Sequence, residues 1–257
     1  MRVTVTTSQE PSRQEEASAR AAASARDLPF AARGKRPLAE VAAESGAEAL
    51  LVLSPRRAGL WLDGVERWWD PGMGALRLKR LDRGEPPAAD PFLAAAGIRP
   101  GERILDCTLG LGADALVAAG AAGPDGSVLG VEASPALAAL VAEGLARLPH
   151  PAARRIEVRA GDAAALLAGL PPRSFDLVCF DPMFRHARAE PPGFDLVRRL
   201  ADQRPLEPET LLAARRVARR AVLVKDGAPG WDLARLGLEP LPSARGAKRY
   251  YARLGPV

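Results

Sequence analysis

A chain of 257 residues with 47% hydrophobic content can bury a sizeable core, which excludes a disordered protein. The formal net charge of +5 suits an anionic partner such as nucleic acid, and the excess is uneven: residues 183–257 hold 15 Lys and Arg against 8 Asp and Glu. Two cysteines and two histidines fit a reducing cytoplasm and provide neither a disulfide framework nor a metal-ligand cluster, so no metal is expected. No run of about 18 apolar residues predicts a membrane span, and the polar first ten residues do not read as a signal peptide.

Residues 1–90 read as a smaller α+β N-terminal lobe. Val3 and Val5 alternate with polar residues in a short strand, and the Ala-rich stretch 11–26 reads as a helix. Pro37 opens a helix that runs to Glu44, with Gly46 as its stop. Residues 50–53, 59–62 and 65–69 read as strands, the last two joined by the tight turn Asp63-Gly64. The turn-rich stretch 84–90 reads as a linker.

Residues 91–257 then alternate strands with helices. Strands are predicted at 103–107, 127–131, 155–159, 175–180, 220–225, 233–238 and 249–254. Helices are predicted at 91–97, 113–121, 135–147, 162–168, 194–201 and 208–219. The alternation predicts a doubly wound, mostly parallel seven-stranded Rossmann-like sheet, its last two strands an antiparallel edge pair.

Ligands of such sheets sit beyond the carboxyl ends of the strands, so the residue at each strand end carries the information. The first strand ends in Asp106, followed by a turn containing Gly110 and Gly112, where the backbone can come close to a ligand. The turn alone also satisfies a loose dinucleotide fingerprint. Glu132 ends the second strand and could accept from a ribose diol; Asp162 follows the third and could accept from an adenine amino group. The fourth ends in Asp181-Pro-Met-Phe184.

These four strand ends resemble those of class I S-adenosylmethionine-dependent methyltransferases. The resemblance implies S-adenosyl-L-methionine as cofactor, with Asp106, Gly110 and Gly112 at its methionine part, Glu132 at the ribose and Asp162 at the adenine edge. It also implies that Thr108, Asp114, Ala133, Ala163 and Asp181 line the cofactor site. Asp181, Pro182, Met183 and Phe184 resemble the motif of enzymes that methylate exocyclic amines of nucleobases. An exocyclic amine is a poor nucleophile because its lone pair is delocalised into the ring. The Asp181 carboxylate and Pro182 carbonyl could accept its two N–H bonds and aim the lone pair, while Phe184 stacks on the base. Together with Val3-Thr-Val-Thr-Thr-Ser8, the stretch 106–114 and the 181–184 motif resemble the small-subunit ribosomal RNA guanine-N2 methyltransferases and their Gram-positive relatives. Ribosomal RNA or the small ribosomal subunit is then the expected partner.

Other readings stay open at this stage. The acids could serve only as helix or loop caps. The chain could be a dinucleotide-dependent oxidoreductase, a methyltransferase for a small-molecule or protein amine, or a non-catalytic RNA-binding module. Arg215, Arg216, Arg219 and Arg220 could face phosphates or form a solvated helix face, and Lys35, Arg36, Arg56 and Arg57 could touch RNA or be plain surface. Lys225, at a strand end, could face the site or pair near Asp226. His150 and His186 are expected to be exposed, Cys107 and Cys179 to be small buried hydrophobes, and Trp61, Trp68 and Trp69 to lie in the lobe core.

Overall fold

The computed structural model describes residues 1–182, 199–243 and 246–257. Strand β1 (Val3–Thr7) is buried along its whole length and pairs in parallel with β2 (Ala49–Leu53). Parallel pairing needs a crossover, which contains α1 (Arg13–Ser24) and α2 (Leu38–Ser45). The first helix starts in a capping box: the Ser12 hydroxyl accepts from the Glu15 N–H, and the Glu15 carboxylate accepts from the Ser12 N–H. The second stops at Gly46, in the left-handed region at φ +64°. Strands β3 (Ala58–Leu62) and β4 (Val65–Trp68) form the expected hairpin, completing a sheet of order β1-β2-β3-β4. Segment 29–31 runs along the outer side of β1, where Val5 bonds to Pro29 and Ala31.

The second sheet has the order β10-β9-β8-β5-β6-β7. Its strands are β5 (Arg103–Asp106), β6 (Ser127–Glu132), β7 (Ile156–Ala160), β8 (Phe175–Phe180), β9 (Ala218–Gly227) and β10 (Arg249–Leu254). All pairs are parallel except β9–β10. Ile104, Leu105, Leu177, Val178, Val222 and Leu223 are buried from both sides, as a sheet covered on two faces requires. One face carries α4 (Pro91–Ala96), α5 (Ala113–Ala122) and α6 (Pro135–Arg147); this core continues into Val3, Leu51 and Leu60 of the first sheet. The other face carries α7 (Ala163–Gly169), α8 (Pro208–Val217) and α9 (Trp231–Arg235).

The doubly wound architecture is the expected one, with six strands among the described residues rather than seven. The segment predicted as strand 233–238 begins instead as helix α9, because the Asp226 carboxylate accepts from the N–H groups of Asp232 and Leu233 and caps that helix. The antiparallel edge partner of β10 is therefore β9. Helix α3 (Met73–Asp82) occupies a stretch to which the sequence pattern assigned no element. It lies so close to α5 that a Cβ on Gly74 would come 2.8 Å from the Ala113 Cα, and one on Gly120 2.5 Å from Leu78 Cδ1. Most of the helix predicted at 194–201 lies outside the described residues, as do Met183, Phe184 and His186.

Several surface expectations change. Arg216 donates to the Leu167 and Leu170 carbonyls, and Arg220 reaches the Glu102 carboxylate and the Ala96 carbonyl. Arg215 and Arg219 bond to the Gly255 carbonyl and to Asp176. This arginine series ties the fold together rather than forming a free stripe. Lys35 and Arg36 pair with Glu10 and Glu44, and Arg57 lies 4.7 Å over the Trp68 ring. His150 is half-buried, its Nδ1 accepting from the Ala152 N–H. Cys107 and Cys179 are free and buried, as expected.

Candidate active site

The strand order reverses at β5, which has β6 on one side and β8 on the other. This is the switch point at which doubly wound sheets leave a crevice. A cavity of about 970 Å³ opens there, and all four predicted strand-end acids line it. Along the carboxyl edge the order is Lys225 on β9, Asp181 after β8, Asp106 on β5, Glu132 on β6 and Asp162 after β7. Five adjacent strands place that row across about 19 Å.

Each acid is held in its own way. Asp106 is buried, and its Oδ1 accepts from the Thr108 N–H at 3.1 Å. Burial, with Asp114 and Asp181 nearby, pushes its carboxyl up to about 7. Glu132 accepts from the Gly110 N–H through Oε2 and from the Ser134 N–H through Oε1, each at 3.0 Å. Burial raises its pKa, and these N–H bonds oppose the rise. Its carboxylate therefore ties the glycine turn to the start of α6, and a carboxylate has lone pairs beyond these two bonds for a diol. Asp162 caps α7 through a 2.9 Å bond from the Ala165 N–H, and its other oxygen meets Arg204; the Ala165 N–H and Arg204 both lower its pKa.

The glycines divide the work. Gly110 has φ +52° and nothing within 4 Å of where a Cβ would be, so the turn presents bare backbone to the cavity. Gly112, at φ +79°, starts α5, and a Cβ there would lie 3.2 Å from Val141; it is absent from the cavity wall. Between them the Leu111 carbonyl accepts from Trp69 Nε1 at 3.1 Å. Trp61 and Trp68 pack in the lobe core as expected, whereas Trp69 reaches α6 and this turn.

Beyond the row of acids runs an ionic network. The Lys225 ammonium bonds to Asp114 Oδ2 at 2.8 Å and also to Asp181 Oδ2, while the Asp181 N–H donates to Thr108 Oγ1. Asp114 Oδ1 meets Arg77, which also grips both oxygens of Asp90. Despite burial, Lys225 and Arg77 hold Asp114 down to about 2. Burial raises the pKa of Asp181, against the pull of Lys225. Of the two readings open for Lys225, the structure chooses the one facing the site. Arg77 had no signal in the sequence, because nothing in its stretch marks the helix that delivers it.

Thr108, Asp114, Ala133, Ala163, Asp181 and Pro182 all line the cavity. A bare glycine turn, an acid at the next strand end and the small residues Ala133 and Ala163 beside the acids fit an adenosine with an amino-acid tail. A switch-point crevice with this donor set suits an S-adenosylmethionine-dependent methyltransferase, in which the cofactor would supply an electrophilic methyl group. Residues 80–234 match the family described as "Putative SAM-dependent methyltransferase", and the chain belongs to that family.

The chain is 35% identical over 229 residues to "Uncharacterized protein YpiP" of Bacillus subtilis, covering 86% of this chain and 88% of that one. It is 36% identical over 165 residues to "Ribosomal RNA small subunit methyltransferase J" of Laribacter hongkongensis, a match to 59% of this chain and 56% of that relative. A crystal structure of a SAM-dependent methyltransferase from Neisseria gonorrhoeae superposes with a TM-score of 0.63 at 22% identity, over 98% of this chain and 96% of that one, and shows the shared fold. No helix among the described residues is long and apolar enough to cross a membrane.

Proposed function

We propose that this enzyme methylates an exocyclic amine of an RNA base, with guanine N2 of ribosomal RNA as the substrate. The observation that carries the reading is Asp181-Pro182 at the carboxyl end of β8, in the same cavity as the strand-end acids and next to Asp106 across the sheet. Relatives named for ribosomal RNA methylation support the choice of substrate. In this reading Asp106, Gly110, Glu132, Ala133, Asp162 and Ala163 hold the cofactor. Asp181 and the Pro182 carbonyl accept the hydrogen bonds of the amine, and Met183 and Phe184 complete the base site. Thr108 and Asp114 brace Asp181 and Lys225, and Gly112 shapes the turn. Residues 1–90 form the lobe that helps to hold RNA, and residues 91–257 form the transfer domain.

The test is nucleoside analysis of ribosomal RNA from a deletion strain, with complementation by wild type and by Asp181→Ala. N2-methylguanosine should fall in the deletion strain, return with wild type and stay low with the variant, while the variant still binds S-adenosylhomocysteine. Unchanged ribosomal RNA nucleosides would overturn the substrate, leaving small-molecule and protein amines as the classes to assay. Full rescue by Asp181→Ala would overturn the role of Asp181.

A further inference from the structure

Lys225 is nine-tenths buried at the cavity end of β9. In the register of β8 and β9, Phe180 stands opposite Val224, so Asp181, just past the end of β8, and Lys225, still within β9, stand side by side. The ammonium bonds to Asp181 Oδ2 and Asp114 Oδ2, and the far oxygen of Asp114 is held by Arg77, itself clamped on Asp90. Charges therefore alternate from the helix cap at Asp90 through Arg77, Asp114 and Lys225 to Asp181. The Asp181 carboxylate is fixed through Oδ2, and its backbone N–H is fixed by Thr108 Oγ1. A carboxylate that has to accept from a weakly polarised amine must be both charged and correctly placed, and side chains anchored by a further set of contacts meet that need.

We propose that Lys225 is a positioning residue for methyl transfer, locking the Asp181 carboxylate in its charged form and in one orientation toward the substrate amine. The proposal rests on the role given to Asp181 above. The groups facing Asp181 are Asp106 from β5, Asp114 from α5, Lys225 from β9, and Arg249 and Tyr251 from β10, with Arg77 of α3 behind Asp114. Without Lys225, the carboxylates of Asp106, Asp114 and Asp181 would crowd one cavity, with Arg77 held on Asp114 and Arg249 offsetting Asp181 only at longer range. Like charges in a poorly hydrated site are relieved by taking up a proton. A protonated Asp181 would lose acceptor strength toward the amine.

The direct test does not require the RNA. Protein carrying 13C at aspartate carboxyl carbons is titrated, the Asp181 signal being assigned by its loss in Asp181→Asn. In Lys225→Met the Asp181 midpoint should rise by about one pH unit or more, and in Lys225→Arg it should stay close to wild type. An unmoved midpoint in Lys225→Met would overturn the proposal.

The second test is methyl transfer to ribosomal RNA purified from the deletion strain. Lys225→Met should lower kcat about tenfold at neutral pH, with less loss at higher pH and an unchanged KM for S-adenosylmethionine. Loss that is equal at every pH and shared with KM would mark a scaffold role and overturn the proposal. Thermal melts confirm that the variants fold. Absence of transfer by wild type would overturn the RNA reading while the titration still decides whether Lys225 holds Asp181 charged; full activity of Asp181→Ala would overturn the role of Asp181 and this proposal with it.

Discussion

Gly144 sits in the middle of α6, where alanine ordinarily stabilises a helix by about 1 kcal/mol over glycine. The structure predicts the opposite sign for Gly144→Ala. A Cβ there would lie 2.1 Å from Cδ2 and 2.2 Å from Cε3 of Trp69, which no real packing tolerates. Overpacking of this kind costs about 1–3 kcal/mol. A displaced ring also gives up the 3.1 Å bond from Trp69 Nε1 to the Leu111 carbonyl, worth about 1 kcal/mol. After the helix gain is subtracted, the net destabilisation is about 1–3 kcal/mol, which lowers Tm by roughly 3–10 °C in a chain of this size. Affinity for S-adenosylhomocysteine should fall as well, because the bond that is lost pins the turn between Gly110 and Gly112.

The assay is thermal and chemical unfolding of Gly144→Ala in wild-type and Trp69→Ala backgrounds. With the ring removed the clash is gone, so the same substitution should stabilise by about 1 kcal/mol. Wild-type stability of the single variant, or an identical effect in both backgrounds, would refute the reasoning.

Asp106→Asn should change how stability depends on pH. The carboxyl of Asp106 titrates near 7 in the folded protein, above its usual 3.8, so the folded state holds a proton that the unfolded chain releases. That contribution is complete below about pH 4 and is lost as pH rises through about 7; unfolding in denaturant at pH 5 and pH 8 should show a steeper decline for wild type than for the variant. Arg220→Ala should cost about 3 kcal/mol, since it strands the buried Glu102 carboxylate that Arg220 meets at 2.6 and 2.9 Å. RNA affinity, measured at a fixed salt concentration, should not change; weaker RNA binding at unchanged stability would restore the phosphate-facing reading of the arginines at 215–220.

The acids of the site could be read from the sequence because each stands at or just past a strand end, and in a doubly wound sheet that position places a side chain at the ligand edge. Asp106, Glu132 and Asp181 follow apolar runs directly, and Asp162 follows the alternating strand Ile156–Ala160 after Gly161. What could not be read depends on partners distant along the chain. The helix at Trp231–Arg235 is capped by Asp226 at the end of the preceding strand, and its leucines alone resemble an edge strand. Helix α3 starts at Gly72 without a side-chain cap, so its start carries no signature, and Arg77 reaches the site because small residues in α3 and α5 allow close approach. The arginines near residue 216 share the spacing of an exposed face, yet two of them turn to carbonyls and to a buried carboxylate, which no local pattern encodes.

The four sheet edges also govern how the protein behaves when concentrated. An open edge strand is a template on which another chain can add. Here β1 is already covered by segment 29–31, and β4 shows Arg67 to solvent. The other two edges expose charges, Glu157 and Arg159 on β7 and Arg249 and Arg253 on β10. Among the described residues each edge sets a covering segment or an exposed charge against strand addition. The margins of the sheets thus resist pairing, while the carboxyl edge carries the acids of the site.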